Sequence, residues 1–252
     1  MGILIVLLTS LYVLGSSEEN SCNVLGIELR GDIHTYVPLD YDGDVLGGWE
    51  DTTISEEVIY FLNQAQNSKN IKAVLIEVDS YGGSPAAAEE ISNTIASMEK
   101  PVISFIREAG LSAGYFSIVP SDYIFALRTS DVGGIGTTAS YIDNVRKNQI
   151  EGLSYIQLST GKFKDTGSPD KPLTQEERDL VMRDLQILHD IFVETVATHR
   201  NMTIEQVRLI ADGSSVLGDR AKELGLIDEI GDYATAQQYI SDLIGEDVSV
   251  CW

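Results

Sequence analysis

Basic side chains are scarce in this chain of 252 residues: 17 Lys and Arg stand against 39 Asp and Glu, a formal charge of −22. So acidic a surface repels a phosphate backbone, which argues against a nucleic-acid partner and for a soluble, self-repelling exterior. The acid is spread along the chain, so it reads as solvated surface, and no metal site is drawn from it. Cysteine is nearly absent: Cys22 and Cys251 stand near opposite ends with no C-x-x-C or Cys/His cluster. That excludes a zinc site and a redox pair, and leaves a disulfide between the ends open. Histidine is limited to His34, His189 and His199. The last two fall on a long predicted helix, which leaves a serine-histidine triad poorly supported. There is no internal repeat, and no Gly-Lys-Ser/Thr follows the Gly82-Gly83 pair, so there is no phosphate-binding P-loop and no cofactor is expected.

What is present is an ordinary globular composition, 43% hydrophobic with 22 glycines and six prolines, enough for one main domain with a packed core. Gly2 to Gly15 is apolar or small throughout and turns polar at Ser16-Ser17-Glu18-Glu19-Asn20. Too short for a comfortable membrane span, it suits the core of an export signal or a tight anchor, although no Lys or Arg precedes Arg30. Glu19-Asn20-Ser21 lacks the small apolar residues expected before a lipid-modified cysteine, so no lipoprotein is expected at Cys22. The division expected is an N-terminal signal or anchor with its linker over 1–23 and a catalytic domain over 24–252, exported or membrane-associated and facing away from the cytoplasm.

Along that domain, Val24 to Leu29 reads as a strand closing at a turn at Arg30-Gly31-Asp32, and Asp40 to Thr53 as a polar loop. Ser55 to Gln66 has helical apolar spacing, and Ile71 to Val78 is a nearly continuous apolar strand, buried on both faces. Ser84-Pro85 caps a helix reaching about Met98, and Pro101 to Ile106 is the next strand. A helix runs from Gly110 to Ile118, Tyr123 to Ala126 is a strand, and Gly133-Gly134-Ile135-Gly136 breaks it. Thr174 with Glu177 opens a long amphipathic helix to about His199, whose stripe from Leu180 through Leu185 and Leu188 to Val196 is expected to pack on a core. Thr203 with Gln206 opens another helix, and Leu217 to Asp228 reads as turn, helix, glycine stop and strand. The alternation of strands and helices predicts an α/β fold.

Two junctions carry candidate chemistry. Asp79-Ser80-Tyr81-Gly82-Gly83-Ser84-Pro85 reads as a strand-to-helix turn whose amides have no strand partner and could hold an oxyanion. Ser112 sits at a second such junction, between Gly110 and Gly114, where small neighbours admit a carbonyl and the Ala113 amide could supply a second donor. The run also fits G-x-S-x-G, a loose pattern. A serine needs a base, and a desolvated lysine serves without histidine. Lys164 and Lys162 compete for that role. An ordinary lysine titrates near 10.4 and must fall by roughly three units, about 4 kcal/mol, which burial could supply. Asp165 should therefore point away, and Phe163 would help keep the site dry.

In order, the Asp79 to Ser84 turn, Leu111-Ser112-Ala113-Gly114-Tyr115, Gly133-Gly134-Ile135-Gly136, Gly161-Lys162-Phe163-Lys164-Asp165 and Ala221 to Asp228 resemble the signal peptide peptidase A family across roughly residues 24 to 245. These are membrane-associated serine-lysine proteases related in fold to the Clp protease and crotonase enzymes. The resemblance implies repeated β-β-α units, Ser112 as nucleophile, Lys164 as base, and oxyanion amides at Gly82, Gly83 and Ala113. It further implies a peptide or protein substrate and a ring-like homo-oligomer, in which Lys164 could meet a neighbour's serine. Family members usually carry serine where Gly134 stands and proline where Tyr81 stands. Thr137, Thr138 or a water would then have to replace the missing hydroxyl. Cleavage of remnant signal peptides is the expected activity. A membrane-tethered scaffold without catalysis and a phage-type capsid protease are the alternatives, the second disfavoured by the apolar N-terminal segment.

Overall fold

The computed structural model describes residues 22–36 and 52–252. The apolar stretch from Gly2 to Gly15, expected to be an export signal or anchor, and most of the polar loop after Asp40 lie outside the described residues. The first strand, β1 (Val24–His34), does not stop at Gly31 as the sequence suggests. An irregularity between Arg30 and Asp32 absorbs the turn residues, and the strand continues alongside β3 (Ala73–Gly83). Between them come β2 (Thr52–Ile54) and helix α1 (Ser55–Asn67). Helix α2 (Pro85–Ala96) starts where expected, its Ser84 hydroxyl accepting from the Ala87 amide at 3.4 Å. Strand β4 (Val102–Leu111) runs five residues past Ile106 and leads into α3 (Ala113–Ile118), β5 (Tyr123–Ala126) and β6 (Asp131–Gly133).

Then follow α4 (Val145–Ile150), α5 (Gln175–His199), α6 (Ile204–Arg208), β7 (Ser215–Leu217), α7 (Gly218–Leu224), β8 (Glu229–Ile230), α8 (Tyr233–Ile244) and β9 (Val250–Cys251). Both capping boxes read from the sequence form, Thr174 with Glu177 and Thr203 with Gln206. Gly225, at φ 79°, stops α7.

The sheet order is β2-β1-β3-β4-β5-β8, all parallel; β9 adds to β1, β6 adds to β4, and β7 pairs antiparallel with β6. The mixed α/β architecture with a largely parallel sheet agrees with a Clp protease and crotonase-like fold. The strands are apolar without alternation because both faces are covered. Val74, Ile76 and Val78 of β3 join a core with α1, α2, α3 and the end of α5, while Ala73 and Leu75 pack with Phe105, Phe125 and α8 residues Ala236 and Ile240.

The stripe on α5 is only half core. Phe192, Val193, Val196 and Ala197 are buried, but Leu180, Val181, Leu185 and Leu188 are half-exposed. No residue between 139 and 172 is buried. This arm closes on itself through Asn144 N–H to Pro169 O at 2.7 Å and Asn148 to Asp170 at 2.8 Å. Lys171 pairs with Glu177 at its base. At the opposite edge a disulfide joins Cys22 to Cys251, with Cα atoms 5.7 Å apart, closing the ends of the domain. Among the described residues no helix is long and apolar enough to cross a membrane.

Candidate active site

Ser112 occupies the one-residue hinge between β4 and α3, with φ 50° and ψ −123°. A serine holds such backbone only when its surroundings enforce it. Here its amide donates to Gly133 O at 2.9 Å and its carbonyl accepts from Phe116 N–H at 2.8 Å, clamping it between β6 and α3. The next amide, Ala113 N–H, heads α3 and therefore has no intrahelical acceptor.

Gly82 and Gly83 abut this hinge from β3. A side chain at Gly82 would begin 3.0 Å from Ser112 Cβ, 3.3 Å from its Oγ and 3.6 Å from Ala113 N. Gly83, at φ 148°, has no room at all, since a Cβ there would fall 2.2 Å from Ile33 O. These residues are not a free turn, as the sequence implies, but the end of β3, registered to Asp32 and Ile33 of β1. The Gly82 amide donates to Ser80 Oγ at 3.2 Å, and that hydroxyl donates to Gly31 O at 2.6 Å. Ser84 N–H donates to Ile33 O at 2.7 Å, so the alternation of a parallel ladder turns the Gly83 amide away from β1, toward β4. Gly83 and Ala113 are thus the amides best available beside Ser112, and Gly82 contributes close approach.

Beyond Ser112 the chain after β6 forms one wall of an open cleft of about 840 Å³. Gly134 N–H donates to Ser214 O at 3.2 Å and Gly213 N–H to Ile135 O at 3.0 Å, extending the β6·β7 pairing. The Thr137 hydroxyl donates to Leu185 O at 2.9 Å and ties this wall to α5. Gly134 and Thr137 both line the cleft, as do Thr138, Tyr81 and Asp212. His189, which the sequence places on a long helix, lines the cleft with Met182 and Leu185, because the exposed half of α5 faces Ser112. Periodicity identifies an apolar stripe without saying what covers it. His199 lies elsewhere, its pKa lowered by burial.

Among the described residues, Lys164 lines neither of the two cavities that adjoin Ser112. It is exposed on the arm, lining a shallow cavity with Tyr155, Ile156 and Leu158. The dry lysine environment expected from the sequence is therefore not made by one copy, and Phe163 is itself 41% exposed. The competing Lys162 is engaged, pairing with Glu176 at 2.6 Å and standing 5.3 Å from the Phe163 ring centre. Asp165 accepts from the Tyr155 hydroxyl, whose pKa that bond raises. The Lys164 ammonium has no ion pair or hydrogen bond within the described residues.

Comparison with known proteins gives a match of residues 95–245 to the profile of peptidase family S49. A putative protease of Methanocaldococcus jannaschii is 32% identical over 187 residues, covering 73% of this chain and 60% of that protein. A putative signal peptide peptidase of Enterococcus faecium is 32% identical over 173 residues, 68% of this chain and 50% of the relative. A chloroplastic serine protease of Arabidopsis thaliana is 27% identical over 186 residues, 73% and 28% respectively. The chain thus spans 60% and 50% of the length of the first two relatives.

Proposed function

The chain belongs to peptidase family S49, and from that premise we propose that it is a membrane-associated serine endopeptidase working through Ser112 and the Lys164 of a neighbouring copy. The observation that carries the reading is the enforced backbone of Ser112, whose Oγ stands against Gly82 with the Ala113 amide beside it. Ser112 Oγ attacks the scissile carbonyl, the Lys164 amine takes its proton, and the amides of Gly83 and Ala113 receive the charge that develops on oxygen. The lysine returns the proton to the departing amine. Water then attacks the acyl-serine, with the same lysine as base, and restores the enzyme.

The arm supports a second copy as the source of the lysine. Ile142, Ile150, Ile156 and Leu158 are 76%, 78%, 78% and 94% exposed, more bare apolar surface than an isolated domain usually carries in one segment. A neighbour covering it would also take Lys164 out of water, and burial favours the neutral amine that a base must present. The apolar N-terminal segment supports membrane association, and the Cys22–Cys251 disulfide supports an oxidising, extracytoplasmic compartment. An open cleft walled by extended backbone suits an extended apolar peptide, such as a remnant signal peptide.

A fluorophosphonate probe is expected to label Ser112 in the assembled protein and to fail on Ser112→Ala and Lys164→Ala. Mixing the two inactive variants, with subunit exchange, should restore peptide turnover, since hetero-assemblies contain intact composite sites. Labelling that survives Lys164→Ala would remove the lysine from the mechanism. Exchange without recovered turnover would place it in the same chain as its serine.

A further inference from the structure

Two cavities of the single copy meet at Ser112; among the described residues no lysine or arginine lines either, and the carboxylates there are Asp212 in the wide cleft and Glu89 in the small cavity. The small one, of about 40 Å³, opens beside Ser112, Gly83 and Ala113 and is walled by Phe116, Leu188, Ile191 and Phe192. A residue whose carbonyl meets the Gly83 and Ala113 amides has this space beside its own side chain. One water needs roughly 10 to 15 Å³ of such volume, so the cavity takes a narrow stem a few atoms long and rejects an aromatic ring.

Glu89 stands at its mouth, exposed on α2, with no hydrogen bond or ion pair among the described residues. Its neighbour Glu90, by contrast, accepts from Ser55 Oγ at 2.7 Å. Apolar walls ending at an unpartnered carboxylate match a side chain that is aliphatic along its stem and cationic at its tip. The chain's net charge of −22 draws such a peptide toward the surface as well.

We propose that Glu89 is a specificity-determining residue, and that the substrate residue supplying the scissile carbonyl is lysine or arginine. This rests on the peptidase reading of Ser112. The test uses the full assembled protein and four matched fluorogenic peptides that carry lysine, norleucine, phenylalanine or glutamate at that residue. Norleucine keeps the stem and removes the charge. Wild type should prefer lysine over norleucine by roughly fivefold in kcat/KM, the size of a well-placed but solvated ion pair. The ratio should shrink with added salt, and phenylalanine and glutamate should be the poorest. Glu89→Gln should bring the lysine to norleucine ratio to about one, and Glu89→Lys should push it below one. A wild-type ratio at or below one, or a ratio untouched in Glu89→Gln, overturns the proposal while fluorophosphonate labelling of Ser112 leaves the peptidase reading standing. Absence of both labelling and turnover overturns that reading and this proposal with it.

Discussion

Breaking the Cys22–Cys251 bond tests how far the ends of this domain hold it together. The two cysteines are 229 residues apart, so the bond closes a loop of nearly the whole domain. In the chain-entropy treatment such a loop removes about 5 kcal/mol of freedom from the unfolded chain at 25 °C, an upper bound, since native disulfides typically contribute about 2 to 4. The folded side points below that bound. The bond secures only β9, two residues paired with Val24 and Leu25, and the Trp252 ring, which lies against Gly26 so closely that a Cβ there would meet it at 2.5 Å. When the bond opens, this edge can detach while the buried core of β3, β4 and β5 stays formed. A loss of about 2 to 4 kcal/mol is therefore expected, or about 5 to 15 °C in Tm for a domain of this size. Thermal unfolding followed by circular dichroism, with and without reductant and beside the Cys22→Ser/Cys251→Ser variant, measures it. The reasoning is refuted if the double variant melts within a degree of the oxidised protein, or if reductant lowers the double variant as much as wild type.

Two further outcomes follow from the geometry. Gly83→Ala should destabilise the fold by about 3 kcal/mol or more and abolish turnover, because a side chain at φ 148° meets the Ile33 backbone at 2.2 Å and displaces the amide beside Ser112; normal urea unfolding with full activity would contradict it. The Lys171 ammonium, and then the Thr174 amide, hold the Glu177 carboxyl at about 2 against an ordinary 4.5. A depressed carboxyl contributes stability that is whole above pH 4.5 and is lost as pH falls toward 2. Glu177→Gln should flatten the acid side of the Tm against pH curve, and an unchanged acid limb would show that the pair at the base of the arm does not contribute.

Local chemistry alone determined much of this protein. Continuous apolar runs such as Ile71 to Val78 require strands covered on both faces, and Ser84-Pro85, Thr174 with Glu177 and Thr203 with Gln206 fix helix starts, because a cap is satisfied within four residues of chain. The same locality made the Ser112 junction legible. The glycine pair was legible as a site of close approach but not as the end of β3, since its pairing partners Asp32 and Ile33 lie about 50 residues earlier. Only the tertiary structure decided which amide at that pair is spent on Ser80, that half of the α5 stripe faces a cleft instead of a core, and that Cys22 meets Cys251. It also decided that Lys164 stands apart from Ser112 on an exposed arm. Such facts depend on which distant segments meet, and sequence spacing carries the type of a contact surface without the identity of what covers it.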